Sequence, residues 1–308
     1  MRETSLNCIY NLAKQDERII FIGSDLGAGT LNKFREEMPE RFFMEGISEQ
    51  HVIGMAAGLA MEGYIPFVNT ISTFLTRRCL EQIIIDLCFH NLPVRLLGFG
   101  GGVVYAPLGP THWATEDFAL LRSLPNMSIV APCDAEEMIR LIPQTASWQG
   151  PIFIRLGRGE DPVVSDSALG FEIGKAILLK DPKDVLIIST GTMTQQALNA
   201  AKTLKTRKIT AGVLHAHTIK PLDVKSVKEA ASNVSLIITV EEHYKTGGLG
   251  SSVLEALSEG GEKIPPLIRL GLPDEILEGY GYQEDLIKKY KLRSMDIVNT
   301  ILKYFRKI

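Results

Sequence analysis

Met44-Glu45-Gly46-Ile47-Ser48-Glu49-Gln50-His51-Val52-Ile53-Gly54-Met55-Ala56-Ala57-Gly58-Leu59-Ala60-Met61-Glu62 sets one acid, Glu49, at the mouth of an unusually small-faced helix. Ahead of it, 41–45 reads as a short strand, and Ser48 is a good N-cap residue. Behind it, Gly54, Ala56, Ala57, Gly58 and Ala60 leave little side-chain volume, so the helix can lie close to a neighbour. Taken from the turn alone, such an acid simply complements the helix macrodipole, worth about 0.3–1 kcal/mol. A solvent-exposed cap needs neither small neighbours nor so apolar a helix. Those two features favour a carboxylate placed to touch a ligand.

Outward from this unit, strands alternate with helices, which argues for α/β architecture with mainly parallel sheets covered by helices on both faces. In the first half the pattern predicts strands at 19–23, 42–45, 65–70, 94–99, 128–131 and 152–155. Helices are expected over 4–15, 48–62, 73–89, 114–123 and 135–148. Residues 159–170 turn polar and irregular and read as a linker, dividing the chain into domains 1–165 and 166–308. The second half restarts with a strand at 185–190 and a helix over 194–204. A strand at 211–215, a helix over 224–231 and a strand at 236–240 follow, and Gly247-Gly248-Leu249-Gly250 opens another helix.

The 308 residues suffice for two domains with their own cores, and 45% apolar with 22% charged residues is a folded composition. A net charge of -3 argues against a nucleic-acid or anionic-membrane surface. Cys8, Cys79, Cys88 and Cys133 lack CxxC spacing, so neither a zinc site nor a disulfide framework is indicated. Buried thiols in a reducing cytosol are the simpler reading. No window approaches the ~20 apolar residues of a membrane span, and a cytoplasmic location is expected.

Three further loops follow strands. Leu108-Gly109-Pro110-Thr111-His112-Trp113, after Gly100-Gly101-Gly102, describes a loop at the carboxyl end of a buried strand, where open parallel sheets bind ligands. His112 there is either a ligand contact or a satisfied loop histidine. Gly23-Ser24-Asp25-Leu26-Gly27-Ala28-Gly29-Thr30 resembles a phosphate cradle but lacks the P-loop lysine and GxGxxG spacing, leaving Asp25 to point at the cleft. Arg155-Leu156-Gly157-Arg158-Gly159 offers an arginine able to grip an anion bidentately, or to pair with Glu160 or Asp161. His215 and His217 would share a strand face without a third ligand, so no metal is expected.

Together these segments resemble the transketolase family of thiamine-diphosphate enzymes, specifically its pyrimidine-binding and C-terminal domains. The matching stretches are Gly-Ile-Ser-Glu49-Gln-His, Ser-Thr-Phe74-Leu, Gly-Pro-Thr-His112, Leu-Arg-Ser-Leu-Pro-Asn and Ala-Pro-Cys-Asp134-Ala. Thr-Ile-Lys-Pro-Leu-Asp223 and Val-Glu-Glu-His243 through Gly-Gly-Leu-Gly250 continue the match in family order over nearly the whole chain. The resemblance implies that Glu49 hydrogen-bonds N1′ of the cofactor's aminopyrimidine and promotes its proton shift. Phe74 would lie against that ring, with Asp25, Leu26 and Arg77 lining the same cofactor pocket. His112 would contact the donor's hydroxyls or the enamine, and Arg158 would hold an acceptor's anionic tail.

No Gly-Asp-Gly occurs in the chain. In the family that segment holds the metal and diphosphate and lies on a preceding domain. The resemblance therefore implies the C-terminal subunit of a split enzyme, inactive alone. An N-terminal partner would hold the diphosphate and its Mg or Ca ion in a heterotetramer of two partner pairs. Where sugar-phosphate transketolases carry an Asp before Gly-Pro-Thr-His this chain has Leu108, and where they carry a phosphate-contacting His it has Gly100. Arg77 stands where many have an aromatic, as in deoxyxylulose-phosphate synthases. Small sugars or sugar phosphates are the expected substrates, with ketol transfer as the reaction. A β-type 2-oxo-acid dehydrogenase subunit, a pyruvate-using synthase, or a non-catalytic assembly subunit remain as alternatives.

Overall fold

The computed structural model describes residues 1–24, 31–157, 159, 161–259, 261 and 264–306. The first half runs α1 (Arg2–Ala13), β1 (Ile19–Gly23), α2 (Asn32–Glu37), β2 (Phe42–Met44), α3 (Glu49–Met61), β3 (Ile65–Ile71) and α4 (Ser72–Thr76). It continues with α5 (Leu80–Gln82), β4 (Arg95–Phe99), α6 (Asp117–Arg122), β5 (Ser128–Val130), α7 (Ala135–Thr145) and β6 (Ile152–Leu156). The second half comprises β7 (Ile177–Lys180), β8 (Val185–Ser189), α8 (Met193–Thr206), β9 (Ala211–His215), β10 (Thr218–Lys220) and α9 (Val224–Ala231). It ends with β11 (Leu236–Tyr244), α10 (Leu249–Ser258), β12 (Leu267–Leu272), α11 (Gln283–Lys289) and α12 (Ser294–Phe305).

The central strands are near-continuous apolar runs because helices cover both faces: β1, β4, β6, β8 and β9 are buried at every residue. They form a seven-stranded sheet ordered β10-β5-β6-β4-β3-β1-β2 and a five-stranded sheet ordered β12-β11-β8-β9-β7. Every pairing is parallel except β10 on β5 and β7 on β9. In the first sheet the chain steps from β1 to β2 on one side and back to β3 on the other. That reversal opens a crevice at the carboxyl ends of β1 and β3, where ligands bind in open parallel sheets.

Two departures from the sequence expectation bear on the site. The stretch 73–89, read as one helix, breaks after Thr76 and resumes as α5, which runs into a π-helical turn, Ile83–Cys88. Cys79, at φ −111 and ψ 16, marks the break, and Arg77 and Arg78 project from it toward acids. The second departure is β10, which the second half lends to the first sheet, with Thr218 opposite Val130. Nearby, the Lys220 ammonium donates to the carbonyl oxygens of Arg122, at 2.9 Å, and Leu124. Among the described residues no helix is long and apolar enough to cross a membrane.

Candidate cofactor and substrate site

The carboxyl edge of β1 to β4 gathers the site. Ser24, just past β1, donates its hydroxyl to Thr70 Oγ1 on β3 at 2.9 Å, tying the two strand ends together. Beyond β2, Gly46 turns the chain at φ +66, and Glu49 opens α3 with a side chain only 2% exposed. Ser48 sits at the N-cap position, but its hydroxyl donates back to the Glu45 carbonyl at 2.7 Å instead of capping an amide. This corrects the expected capping role: the hydroxyl stabilises the turn before the helix. Val52, Ile53, Ala56, Ala57 and Ala60 face the core, whereas Gly54 and Gly58 have open space around their Cα atoms.

The buried Glu49 carboxylate is met by the Arg78 guanidinium, Nη1 to Oε2 at 2.5 Å. The same guanidinium lies over the Phe74 ring, with Cζ 4.5 Å from its centroid. The His112 ring packs edge-on against Phe74, centroids 5.1 Å apart, and its Nδ1 is 3.0 Å from the Thr111 hydroxyl. Glu49, Phe74 and His112 therefore converge as the sequence order suggested. Burial, followed by the nearby Glu49 charge, pushes the Cys79 thiol up to about 12, so it stays protonated beside the site.

Arg77 turns instead onto Glu116, with Nη2 to Oε2 at 2.9 Å, and reaches the Pro110 carbonyl at 3.4 Å. Burial opposes the Glu116 charge, but the hydrogen bonds and charge of Arg77 together with the Thr115 hydroxyl outweigh it and hold the carboxyl below its ordinary range. Asp25, Leu26 and Arg158 lie outside the described residues.

The His112 loop is built on two 3₁₀ turns, Ala106–Leu108 and Pro110–His112, hinged at Gly109. Reciprocal backbone hydrogen bonds between Gly102 and Ala114, both 2.9 Å, close its base. Gly100 is required here: at φ +74, a Cβ would lie 2.1 Å from the Tyr105 ring. Tyr105 thus fills the space that a side chain at 100 would need. Its neighbour Leu108 is half exposed and lines a cavity of about 220 Å³ with Tyr105, Pro107 and Tyr282.

Two residues inside the quoted motifs hold this loop, in roles that the sequence did not suggest. Arg155 donates to the Ala114 and Glu242 carbonyls, each at 2.8 Å, while Glu242 accepts the Val103 amide at 2.7 Å. Arg78 itself had a legible signal, since it stands four residues after Phe74 and shares its side of a helical turn.

The second-half motifs serve packing. Glu241 accepts the Leu249 and Gly250 amides at 2.6 and 2.8 Å, so the Gly247–Gly250 turn already has an internal carboxyl acceptor at the start of α10. His243 stacks on Phe118 of α6 at 5.2 Å, and Asp134 and Asp223 cap α7 and α9. His215 bonds the buried Glu137 at 2.9 Å, next to Cys133, which closes a hydrogen-bonded cluster between the two halves.

The model of the transketolase pyrimidine binding domain matches residues 1–162, and that of the transketolase C-terminal domain matches residues 174–297. The chain is similar to one subunit of the apulose-4-phosphate transketolase of Phocaeicola vulgatus, 38% identical over 308 residues and covering 99% of this chain and 97% of that one. It is 36% identical to the 1-deoxy-D-xylulose-5-phosphate synthase of Caldanaerobacter subterraneus, covering 97% of this chain but 48% of that protein. A solved structure described as a split gene transketolase, inactive beta4 tetramer, superposes with a TM-score of 0.88 at 37% identity. That match covers 98% of this chain and 96% of the solved one. The chain belongs to the transketolase family, and its full-length likeness to split-enzyme subunits makes it the C-terminal, transferase-type subunit of such an enzyme.

Proposed function

We propose that residues 1–165 take the pyrimidine end of thiamine diphosphate and that an N-terminal partner chain holds the diphosphate with its Mg or Ca ion. Residues 166–308 form the C-terminal domain in this reading. The carrying observation is Glu49, a carboxylate buried at the first residue of α3 and served by a planar cation lying over Phe74. A planar heterocycle fits the same pair of surfaces, its N1′ accepting a hydrogen bond from the protonated carboxyl or, once protonated, donating one to the carboxylate. The absence of Gly-Asp-Gly supports a metal site on another polypeptide. When bound, the cofactor supplies the electron sink for breaking and forming the carbon–carbon bond.

This chain's residues bind, orient and move protons. Glu49 would give a proton to N1′ of the pyrimidine and take it back, from a position fixed by the start of α3. Phe74 supports the ring face, a contact worth about 0.5–1.5 kcal/mol beyond area. His112, held beside Phe74, contacts the donor's hydroxyls. Asp25 and Leu26 complete the cofactor pocket, and Arg158 holds the acceptor's anionic group. Arg77, through the Pro110 carbonyl and Glu116, keeps the His112 loop against the pocket. The reaction is transfer of a two-carbon ketol unit from a small ketose to an aldose in the cytoplasm, by a heterotetramer of two partner pairs. Neither nucleic acid nor membrane is a partner.

A second reading is a pyruvate-using synthase, favoured by Arg77 in place of an aromatic and by the likeness to deoxyxylulose-phosphate synthase. Incubating the reconstituted two-chain complex with hydroxypyruvate, a ketose phosphate and pyruvate in separate reactions decides between them. Ketol transfer predicts two-carbon products from the first two donors. Turnover of pyruvate alone would replace it with the synthase reading.

A further inference from the structure

The two surfaces assigned above to the aminopyrimidine are already in use within this chain. Arg78 Nη1 holds Oε2 of Glu49 at 2.5 Å, and the guanidinium carbon sits 4.5 Å over the centre of the Phe74 ring. The guanidinium is planar, cationic and rich in N–H donors, so it reproduces the outline of the ring that belongs there and the polarity of that ring once N1′ is protonated. His112 packs against Phe74 as well, so the ring already has two neighbours. One carboxylate oxygen and one ring face do not serve two planar groups together.

We infer that Arg78 is a built-in occupant of the pyrimidine seat, and that cofactor enters only when Arg78 swings off Glu49 and Phe74. The inference rests on the reading of Glu49 and Phe74 as the pyrimidine contacts. Arg78 is suited to a swing because 40% of its side chain is exposed, whereas Glu49 is fixed and buried. Space is available beside it. An open cavity of about 470 Å³ borders Gln50, Arg78, Glu81 and Ile85, and Glu81 is an exposed acid three residues along the chain. The arginine therefore has two acidic partners, Glu49 inside the seat and Glu81 outside it. In the inner position it protects a buried carboxylate that would otherwise lack a counter-charge until cofactor arrives. The guanidinium carries no transferable proton at working pH, so the inner position is a resting one. Arg78 is a positioning residue in this scheme, acting through Glu49.

The test uses the reconstituted two-chain complex with wild-type, Arg78→Gln and Arg78→Lys subunits. Thiamine diphosphate with magnesium is titrated, and both equilibrium binding and the rate of association are followed by tryptophan fluorescence. Removing the occupant restores the competent fraction, so R78Q should bind the cofactor about fivefold to tenfold more tightly and load faster. R78K keeps the charge without the planar stack and should fall between R78Q and wild type. It also preserves the measurement should R78Q fail to assemble. Free methylguanidinium should slow loading of R78Q back toward the wild-type rate, an effect with no counterpart if Arg78 merely stabilises the fold. Unchanged or weaker cofactor binding by R78Q overturns the inference. Glu49→Gln in the same titration separates the two layers. Wild-type turnover by E49Q would remove the pyrimidine reading and this inference with it. A defective E49Q alongside unaltered R78Q affinity would remove the occupant alone.

Discussion

Arg155 Nε lies 2.9 Å from Asp117 Oδ2, and both side chains are buried, one at the end of β6 and the other at the start of α6. The contact is ionic, since the N–H does not point along it. The same guanidinium lies 4.3 Å over Phe118 and donates to carbonyls from the His112 loop and from β11. One cation thus joins the first sheet, the substrate loop and the second half of the chain.

Arg155→Met should consequently cost about 3–5 kcal/mol, because it leaves the Asp117 carboxylate buried and unpaired. Adding Asp117→Asn should recover part of that loss, since replacing both members of a buried pair is far less harmful than removing one. Urea unfolding of the two variants at neutral pH checks both statements. Equal stability of single and double variants would show that the ion pair is not the coupling element.

Glu49→Gln preserves the shape of the side chain and removes the acid. In the assembled enzyme it should lower kcat by about 100-fold or more, the usual range for a lost proton-transfer group. The melting temperature should move by no more than about 2–4 °C, because the pairing lost with the partly exposed Arg78 is weak. Steady-state kinetics and a thermal melt on the same preparation check it. Wild-type turnover would favour an assembly role for this chain.

Leu108 offers a gain-of-function test. It is half exposed on a 3₁₀ turn, so an aspartate there has solvent access and little folding cost. Leu108→Asp adds a carboxylate acceptor for a donor hydroxyl beyond the transferred unit, and should raise kcat/KM for ketose donors by about tenfold. Hydroxypyruvate has no such hydroxyl and should be unaffected. A rise for both donors would show that the change acts through the loop instead of through a hydrogen bond.

The inner strands were legible because burial on both faces leaves an unbroken apolar run, as in Ile19–Gly23 and Val185–Ser189. Glu49 was legible because a strand, a turn and a small-faced helix leave the acid no solvated face. The crossover of Thr218–Lys220 into the first sheet was not, because periodicity reports local conformation and says nothing of which sheet a short strand joins. The break after Thr76 escaped for a related reason. The apolar spacing of 73–89 continues through it, and only the tertiary partners of Arg77 and Arg78 show where the chain turns. Second-half motifs such as Val-Glu-Glu-His243 were recognisable by order. Their work, stacking on Phe118 and closing the helix end at Leu249, depends on contacts that no local spacing encodes.

The pH dependence of stability should be flat on the weakly acidic side and then fall steeply. His217 and His243 are fully buried, and burial drives both pKa values from 6.5 down to about 3, aided by His215 and by Arg155 respectively. The unfolded chain binds those protons first, so each histidine removes stability as pH falls from 6.5 toward about 3. Glu241 and Glu242 do the opposite. Burial raises them from 4.5 to about 7, so the folded chain binds their protons first and gains stability as pH falls through that window. Two protons on each side oppose one another between 6.5 and 4.5, and the melting temperature should hardly change there. Below 4.5 the glutamates are protonated in both states and the histidines act unopposed. Glu137 joins them: burial works against its charge, but His215 holds it down at about 2, so its stabilisation is lost as pH falls from 4.5. His243→Asn should reduce the steep limb by one proton, about 1.4 kcal/mol per pH unit. Melting temperatures of the assembled enzyme at half-unit steps from pH 7 to 4 check the shape. A steady decline beginning at pH 6.5 would mean that the buried glutamates do not offset the histidines.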